Sequence, residues 1–220
     1  MEFDKAVISR RTCREYSSKT LSMGKIADIL DIARFSPSSG NLQNWQFIIV
    51  RDQDTKEKIA DICKGQSWMS DAQAHIVVCN KSKEVEKNYP NRGELYAIQN
   101  CAIVSANIVL KATDLGVGSA LVGAFDEYEL QKLLDIPGDA TPEMVITLGY
   151  PESLDEDQPR IDLKYLCYYE EWGKKEDKKD FWPVTKHSKN LAKKASQTKN
   201  RASTKAKGLI RKAKNKKVVD

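Results

Sequence analysis

The chain has 220 residues, of which 40% are hydrophobic and 30% charged, and its formal net charge is +5. This length allows one domain with a sizeable core, or one domain followed by a tail. No apolar stretch approaches the ~20 residues of a membrane-spanning helix, and the first residues lack the layout of a secretory signal. We therefore expect a cytoplasmic protein without a membrane span.

The charge is distributed unevenly along the chain. Residues 184–220 carry 13 Lys/Arg and one acidic residue, a net charge of +12, which leaves residues 1–183 with −7. The end of the chain also has too few large apolar residues to offset the entropy of ordering. We predict a folded domain over residues 1–175 and a disordered, Lys-rich tail over residues 176–220.

The cysteines do not indicate a metal site or a disulfide framework. There are five, an odd number without a C-x-x-C pair, and only two histidines accompany them. We expect them to be small buried apolar groups in a reducing compartment. They are Cys13, Cys63, Cys79, Cys101 and Cys167.

The first half of the chain predicts two helices and two strands. Residues 22–35 have helical spacing of apolar residues behind a Ser22 cap, and the run "QFIIVRD" is typical of a buried strand. A second helix is predicted to begin at Asp54 as N-cap, with Glu57 three residues later. "HIVVCN" predicts another strand, and the turn formers around Trp68 and Met69 before it indicate a mobile segment.

The second half predicts a long central helix and two more strands. From Glu94 to Leu115 the sequence is apolar around most of the helix, so this helix is expected to be central or to lie at a subunit interface. "GVGSALVGAF" predicts a strand and turn, Asp126 caps a short helix, and "PEMVITLGYP" predicts a closing strand. The alternation favours an α/β or α+β domain with a mixed sheet.

The chain has no obvious acid, base or nucleophile arrangement. His75 lies inside an apolar strand run and the other histidine lies in the basic tail, so neither fits a catalytic triad. "SRRTCREY" places Arg10 and Arg14 four residues apart, on one face if the segment is helical. Such a pair can hold a phosphate by forked hydrogen bonds, although basic doublets also cap or solvate helices.

Five short motifs, taken in order, resemble the FMN-dependent nitroreductase family. They are "RRTCR", "PSSGNLQNW", "GVGSALVGAF", "GYP" and the later Arg160, and the resemblance covers about residues 3 to 175. Two positions depart from the family pattern. Thr12 replaces the usual Ser and keeps its hydroxyl, whereas Asn44 replaces the usual Pro before Trp45 and is expected to loosen the loop.

The resemblance implies an α+β nitroreductase-like fold, with a central mixed or antiparallel sheet flanked by helices, in a homodimer. It also implies tightly bound FMN, with NAD(P)H as reductant. The flavin N5 then carries the chemistry, so neither a catalytic side chain nor a metal is expected. The implied FMN ligands are Arg10, Arg11, Arg14, Ser38, Ser39, Asn41, Leu121, Val122, Gly123 and Arg160.

Each group of these residues has its own implied role. The three N-terminal arginines would bind the phosphate, the ribityl chain and the pyrimidine edge, where a cation stabilises the reduced flavin. The Ser38 to Asn41 stretch would reach the flavin of the partner subunit. Backbone N–H groups of Leu121, Val122 and Gly123 would face flavin N5 and O4, and Arg160 would be a second phosphate ligand. Four side chains are candidates for the substrate side: Trp68, Met69, Tyr89 and Tyr96.

The implied reaction is hydride transfer from NAD(P)H through the flavin to a nitroaromatic, a quinone or a similar flat acceptor. A flavoenzyme of the same fold with another reaction, such as reductive dehalogenation or flavin cleavage, is an alternative. A third hypothesis is a nucleic-acid-associated protein that acts through the basic tail, whose charge would give salt-sensitive binding to nucleic acid or another acidic surface.

Overall fold

The computed structural model describes residues 1–175, and the predicted basic tail lies outside them. The helices are α1 (Phe3–Ser9), α2 (Met23–Ala33), α3 (Gln53–Ile62), α4 (Lys83–Asn88), α5 (Gly93–Asp114), α6 (Glu127–Leu133) and α7 (Leu163–Leu166). The strands are β1 (Glu15–Tyr16), β2 (Trp45–Val50), β3 (Ala74–Asn80), β4 (Gly118–Val122), β5 (Thr141–Gly149) and β6 (Pro151–Ser153). Short 3-10 helices cover Ser39–Asn41 and Ser67–Asp71.

The main sheet has four strands in the order β2-β3-β5-β4, and each neighbouring pair is antiparallel. β1 and β6 form a separate two-stranded antiparallel ribbon. The outer edge of β4 carries one parallel bridge, between Thr12 and Ser119. The expected α+β fold with a mixed or antiparallel sheet and flanking helices is confirmed.

Helices cover both faces of the main sheet. Side chains alternate along β3: Ile76 and Val78 pack in the cluster that contains α2 and α5, while Val77 and Cys79 pack in the cluster that contains α3 and α6. This explains why β3 is buried along its whole length. All five cysteines are free, and four are buried as expected, whereas Cys167 is half-buried.

Local capping signals predicted two of three helix starts correctly. The Ser22 hydroxyl accepts from the Lys25 N–H at 3.3 Å, and the Asp126 carboxylate accepts from the Glu129 N–H at 3.1 Å. The prediction for α3 is wrong by two residues. Its N-cap is Asp52, whose carboxylate accepts from both the N–H and the hydroxyl of Thr55.

α5 is the central helix that the sequence predicted. With 22 residues it is long and apolar enough to span a membrane. Within residues 1–175 it is the single helix that meets this criterion, whereas the sequence-based expectation was that no stretch would. Its buried residues include Asn100 and Ser105, and it packs against α2 and all four strands of the main sheet. These are the contacts of a core helix.

The chain divides by its internal contacts into two units, Met1–Asp157 and Gln158–Asp220. The first unit contains the main sheet with α1 to α6, and the second contains α7 and Arg160. The sequence-based boundary between residues 175 and 176 stays a prediction.

Candidate functional site

Residues 10–14, called the arginine segment because they contain Arg10, Arg11 and Arg14, run beside the edge of the main sheet. The Cys13 N–H donates to the Ser119 carbonyl at 3.0 Å, next to the bridge that joins Thr12 to Ser119. Gly118 permits this close approach, because a Cβ at that position would lie 2.7 Å from Cys13 Sγ. The condition that would place Arg10 and Arg14 on one helix face is not met: α1 ends at Ser9, and the residues after it are extended beside β4.

Two of the three arginines form ion pairs with one acidic stretch. Arg11 Nη2 lies 2.9 Å from Asp157 Oδ2, and Arg14 pairs with the Asp155 carboxylate. The Asp155 N–H also donates to the Thr12 carbonyl at 3.1 Å, which fixes the acidic stretch beside the arginines. Exposed ion pairs of this kind contribute only about 0–1 kcal/mol, so an incoming anion can replace the carboxylates.

Arg10 differs from both neighbours. It is half-buried, and within residues 1–175 its guanidinium has neither a hydrogen-bond acceptor nor an acidic partner. A guanidinium has five N–H donors in a planar fork that matches a phosphate. Arg10 is therefore the side chain of this segment that is most available to an anion.

The outer edge of β4 offers backbone donors next to these arginines. Backbone N–H groups alternate between the two edges of a strand, and Ser119 faces outward, since its carbonyl accepts from Cys13. Leu121 shares that outer edge, while Val122 faces β5, where it pairs with Val145. Leu121 is therefore the N–H of β4 best placed for a ligand, and the Val122 side chain, 5% exposed, packs beneath it.

The loop from Ser36 to Asn44 is anchored to two helices. The Ser36 hydroxyl donates to the Ala33 carbonyl of α2 at 2.5 Å and accepts from Asn107 Nδ2 of α5 at 2.7 Å. Gly40, Asn41 and Gln43 all have positive φ, at 57°, 58° and 45°. The loop is thus held in one conformation by its surroundings rather than by the preferences of its own residues.

The loop leaves polar hydrogens free to donate. Ser38 Oγ accepts from the Gln43 N–H at 3.1 Å, and Asn41 Oδ1 accepts from Gln43 Nε2 at 3.1 Å. Within the described chain, the hydroxyl hydrogen of Ser38 and the amide hydrogens of Asn41 have no acceptor. Both side chains can therefore donate to a ligand, as their predicted role requires.

Asn44 does not loosen the loop, and that expectation is wrong. Its side chain is buried, and its Nδ2 donates to Asn80 Oδ1 at 2.6 Å and to the Ala97 carbonyl at 3.1 Å. Its Oδ1 accepts from Asn100 Nδ2 at 2.7 Å. Asn44 therefore ties the loop to β3 and α5 through side-chain bonds that a proline could not make.

A cleft of about 950 Å³ opens at the end of the sheet where β3 finishes. Its lining includes Asn80, Arg92, Glu94, Glu127 and Glu143. Burial raises the pKa of the Glu143 carboxyl above its ordinary value, and the carboxylates of Glu127 and Glu94 raise it further. With four glutamates and one arginine in its lining, this cleft disfavours a phosphate.

The segment before β3 is packed in the core. Met69 is fully buried, so its predicted place on the substrate side is wrong. His75 Nε2 lies 2.8 Å from the Met69 carbonyl, and burial lowers the pKa of His75 to about 4. Lys56 Nζ also donates to this segment, at the Ser70 and Ala72 carbonyls. His75 is fully buried in β3, within the apolar run in which the sequence places it.

The other three aromatic candidates lie closer to the predicted ligands. The Arg14 guanidinium carbon is 5.8 Å from the centroid of the Trp68 ring. Tyr89 and Tyr96 form an edge-to-face pair with centroids 5.4 Å apart, and a Cβ on Gly40 would lie 2.9 Å from Tyr89 Oη. Tyr89 therefore borders the loop that carries the predicted ligands.

Arg160 lies in the second unit. It is exposed, and its Nη1 donates to the Gln158 carbonyl at 2.9 Å. Its role as a second phosphate ligand stays a prediction.

The sequence reasoning missed several polar residues of this region: Asn80, Asn100, Glu143, Asp155 and Asp157. Asn100 carried a usable signal, because it is a polar residue on the inward face of an apolar helix, where its amide needs partners. The two aspartates carried none, since their pairing with arginines more than 140 residues away depends on the folded chain.

Comparison with known proteins agrees with this architecture. The family model described as "Nitroreductase family" matches residues 7–86 and 63–150. A relative from Archaeoglobus fulgidus, provisionally named an NADH dehydrogenase/NAD(P)H nitroreductase, is 35% identical over 152 residues, which cover 67% of this chain and 84% of the relative. The "FMN reductase [NAD(P)H]" of Bacillus subtilis is 24% identical over 183 residues, with 77% and 74% covered.

A solved structure shares the fold. Nitroreductase A from Vibrio parahaemolyticus superimposes with a TM-score of 0.72 at 19% identity, over 79% of this chain and 77% of that one. The antiparallel sheet with helices on both faces is thus the fold of a known class of α+β proteins. The chain belongs to the nitroreductase family.

Proposed function

We propose that this protein is an FMN-dependent oxidoreductase that takes hydride from NAD(P)H and passes it to a nitroaromatic, a quinone or a similar flat acceptor. The observation that carries the proposal is the half-buried Arg10, without an acidic partner in the described chain, on a segment held against β4. The names of the relatives, which include NAD(P)H nitroreductase and FMN reductase, support it.

The residues of the chain fit FMN. Arg10, with Arg11 and Arg14, would supply the positive charge for the phosphate and the pyrimidine edge, and Leu121 on the outer edge of β4 would supply a backbone N–H group. Leu121 is 47% exposed, so its neighbourhood is open to a flat ring. We include tight FMN binding and a cytoplasmic location, which the five free cysteines favour.

FMN, when bound, supplies the hydride chemistry between NAD(P)H and the acceptor. The chain therefore has to bind and orient the rings and to exclude water, and no acid, base or nucleophile of its own is required. The buried cysteines and His75 agree with this division of labour, because burial raises the pKa of the Cys63 thiol to about 11 and lowers that of His75 to about 4. Neither group is poised for acid–base chemistry near neutral pH.

The proposal includes a homodimer in which the loop of one chain completes the site of the other. Exposed apolar side chains lie along one face of α5: Leu95 is 42% exposed, Ile98 41% and Ile103 39%. Such a face on a central helix is typical of a surface that another chain covers. Ser38, Ser39 and Asn41 would then bind the cofactor held by the arginines of the partner subunit.

Substitution of Arg10 tests the cofactor site. The Arg10→Gln variant should bind FMN at least about tenfold more weakly, because a charge-assisted, forked contact is lost. Lys5→Gln, which removes an exposed cation from α1, is the matched control and should bind FMN like the wild type. Equal FMN affinity of Arg10→Gln and wild type would reject this assignment.

The rate of reoxidation by different compounds identifies the acceptor. Stopped-flow reduction by NADH and by NADPH, followed by reoxidation with nitroaromatics, quinones and halogenated aromatics, would separate nitroreduction from quinone reduction and dehalogenation. Rapid reoxidation by a nitroaromatic or a quinone supports the proposed reaction. Reoxidation by halogenated aromatics alone would favour the dehalogenase alternative.

The basic tail supports a separate proposal, weak binding of nucleic acid or another acidic surface, which rests on the 13 Lys/Arg among residues 184–220. Truncation after Trp182 should abolish retention on DNA at low salt and leave FMN content unchanged. Unchanged retention of the truncated protein would remove the tail from this role.

A further inference from the structure

A series of side-chain hydrogen bonds joins the loop from Ser36 to Asn44 to the cleft that Glu143 lines. Ser39 Oγ donates to Asn100 Oδ1 at 3.3 Å, and Asn100 Nδ2 donates to Asn44 Oδ1 at 2.7 Å. Asn44 Nδ2 in turn donates to Asn80 Oδ1 at 2.6 Å, and Asn80 Nδ2 donates to Glu143 Oε1 at 2.8 Å. The three asparagines are between 2% and 5% exposed, so the two bonds between them are buried, whereas the bonds to Ser39 and Glu143 at the two ends are partly buried.

Backbone groups determine which atom donates and which accepts in this series of hydrogen bonds. A backbone N–H can only donate, and the Ser39 N–H lies 3.1 Å from the side chain of Asn100, so the atom facing it is Oδ1. A carbonyl can only accept, and the Ala97 carbonyl lies 3.1 Å from Asn44, so that atom is Nδ2. The amides of Asn100 and Asn44 therefore have one orientation each.

This direction determines what Ser39 can offer a ligand. Its hydroxyl hydrogen is directed inward to Asn100, so its oxygen lone pairs remain for a hydrogen-bond donor on the open side of the loop. Ser38 has the opposite polarity, because its oxygen accepts from the Gln43 N–H and its hydrogen is free. The two neighbouring serines thus offer one donor and one acceptor.

We propose that Asn100 and Asn44 are positioning residues for the cofactor, which hold Ser39 as a hydrogen-bond acceptor for an N–H or O–H donor of the bound flavin nucleotide. The inference rests on the proposed function, since it needs FMN at the loop. It adds two buried amides that act through Ser39 without touching the cofactor. Asn44 is central to the arrangement, because its side chain is bonded to both Asn80 and Asn100.

Removal of the Asn100 amide should weaken FMN binding, whereas removal of another buried polar group on the same helix should not. Asn100→Ala leaves the Ser39 hydroxyl and N–H without their acceptor, and we expect the Kd for FMN to rise about tenfold. Ser105→Ala is the control: Ser105 lies on the same helix, is 1% exposed, and donates at 2.7 Å to the Cys101 carbonyl. Its Kd should equal that of the wild type.

A double-mutant cycle separates positioning from general stability. Kd is measured by quenching of flavin fluorescence for wild type, Ser39→Ala, Asn100→Ala and the double variant, well below the Tm of each. If Asn100 acts through Ser39, the double variant should bind FMN little worse than the weaker single variant. If Asn100→Ala does not fold, Asn100→Ser replaces it in the same cycle.

Two results would overturn the inference: a wild-type Kd for the Asn100 variant, or effects of the two substitutions that simply multiply. Both leave the proposed function intact, because the wild type still binds FMN. A wild-type protein that takes up no FMN is a different outcome, and it rejects the proposed function together with this inference.

Discussion

The Arg11 guanidinium and the Asp157 carboxylate are 2.9 Å apart, so the chain itself supplies a counter-ion to an arginine of the proposed phosphate site. A phosphate at this position has to compete with that carboxylate. Removing the charge should strengthen cofactor binding, and we expect Asp157→Asn to lower the Kd for FMN about threefold at low salt. Fluorescence titration of the apoprotein measures the change.

Glu156→Gln provides a matched control for this charge. Glu156 adjoins Asp157 and is exposed, and within the described chain it forms no ion pair. It should change the Kd less than Asp157→Asn does. Weaker binding by Asp157→Asn would show instead that Asp157 orients Arg11 for the cofactor.

His75 should make the protein less stable in mild acid. Burial lowers its pKa from 6.5 to about 4, so between these pH values His75 is protonated in the unfolded chain and neutral in the folded chain. Above pH 7 His75 should not reduce the free energy of unfolding. This free energy should fall by up to about 3 kcal/mol as the pH decreases from 6.5 towards 4. Urea unfolding at a series of pH values measures this loss.

The His75→Gln variant identifies the source of that pH dependence. Its free energy of unfolding should vary less with pH over the same interval, whereas His187→Gln should behave like the wild type. An unaltered slope in His75→Gln would assign the acid sensitivity to other groups.

Gly118→Ala should separate the arginine segment from β4. The new methyl would lie 2.7 Å from Cys13 Sγ and 2.9 Å from Cys13 Cβ, with the Gly149 carbonyl at 3.3 Å on the other side. Overpacking of this kind costs about 1–3 kcal/mol. We expect a lower Tm and weaker FMN binding. Gly138→Ala meets nothing within 4 Å and should keep both properties, so equal behaviour of the two variants would contradict the close contact.

A charge on the exposed face of α5 should dissociate the proposed dimer. Ile103→Glu places a carboxylate on this apolar face, where a partner chain would bury it at high cost. Sedimentation should show a monomer with reduced FMN content. Tyr128→Glu, at a side chain on α6 that is 69% exposed, should remain dimeric. A monomeric wild type would remove the dimer from the proposal.

The parts of the fold that the sequence predicted correctly depend on local signals. Ser22 and Asp126 were identified as caps because the hydrogen bond of each spans three residues. Asp52 and Asp54 both fit the capping pattern, and the end of β2 decides between them, so α3 was misplaced by two residues. The extended arginine segment was missed because its conformation depends on pairing between Thr12 and Ser119, more than 100 residues apart.

In the candidate site, too, the features with local sequence signals were predicted and those that depend on distant residues were not. The family motifs indicated the arginines, the loop and the strand–turn, since these residues lie close together in sequence within each motif. The role of Asn44 was reversed, because a residue that departs from the family pattern was judged without its partners Asn80 and Asn100. These two amides come from β3 and α5, which only the folded chain brings together.

The visible spectrum of the purified protein tests the central claim most directly. The proposed function predicts a yellow protein with flavin absorption bands, FMN in an amount equal to that of the chain, and loss of the bands when NADH or NADPH is added without oxygen. A colourless protein that takes up no added FMN, or bound FMN that neither nicotinamide reduces, would contradict it.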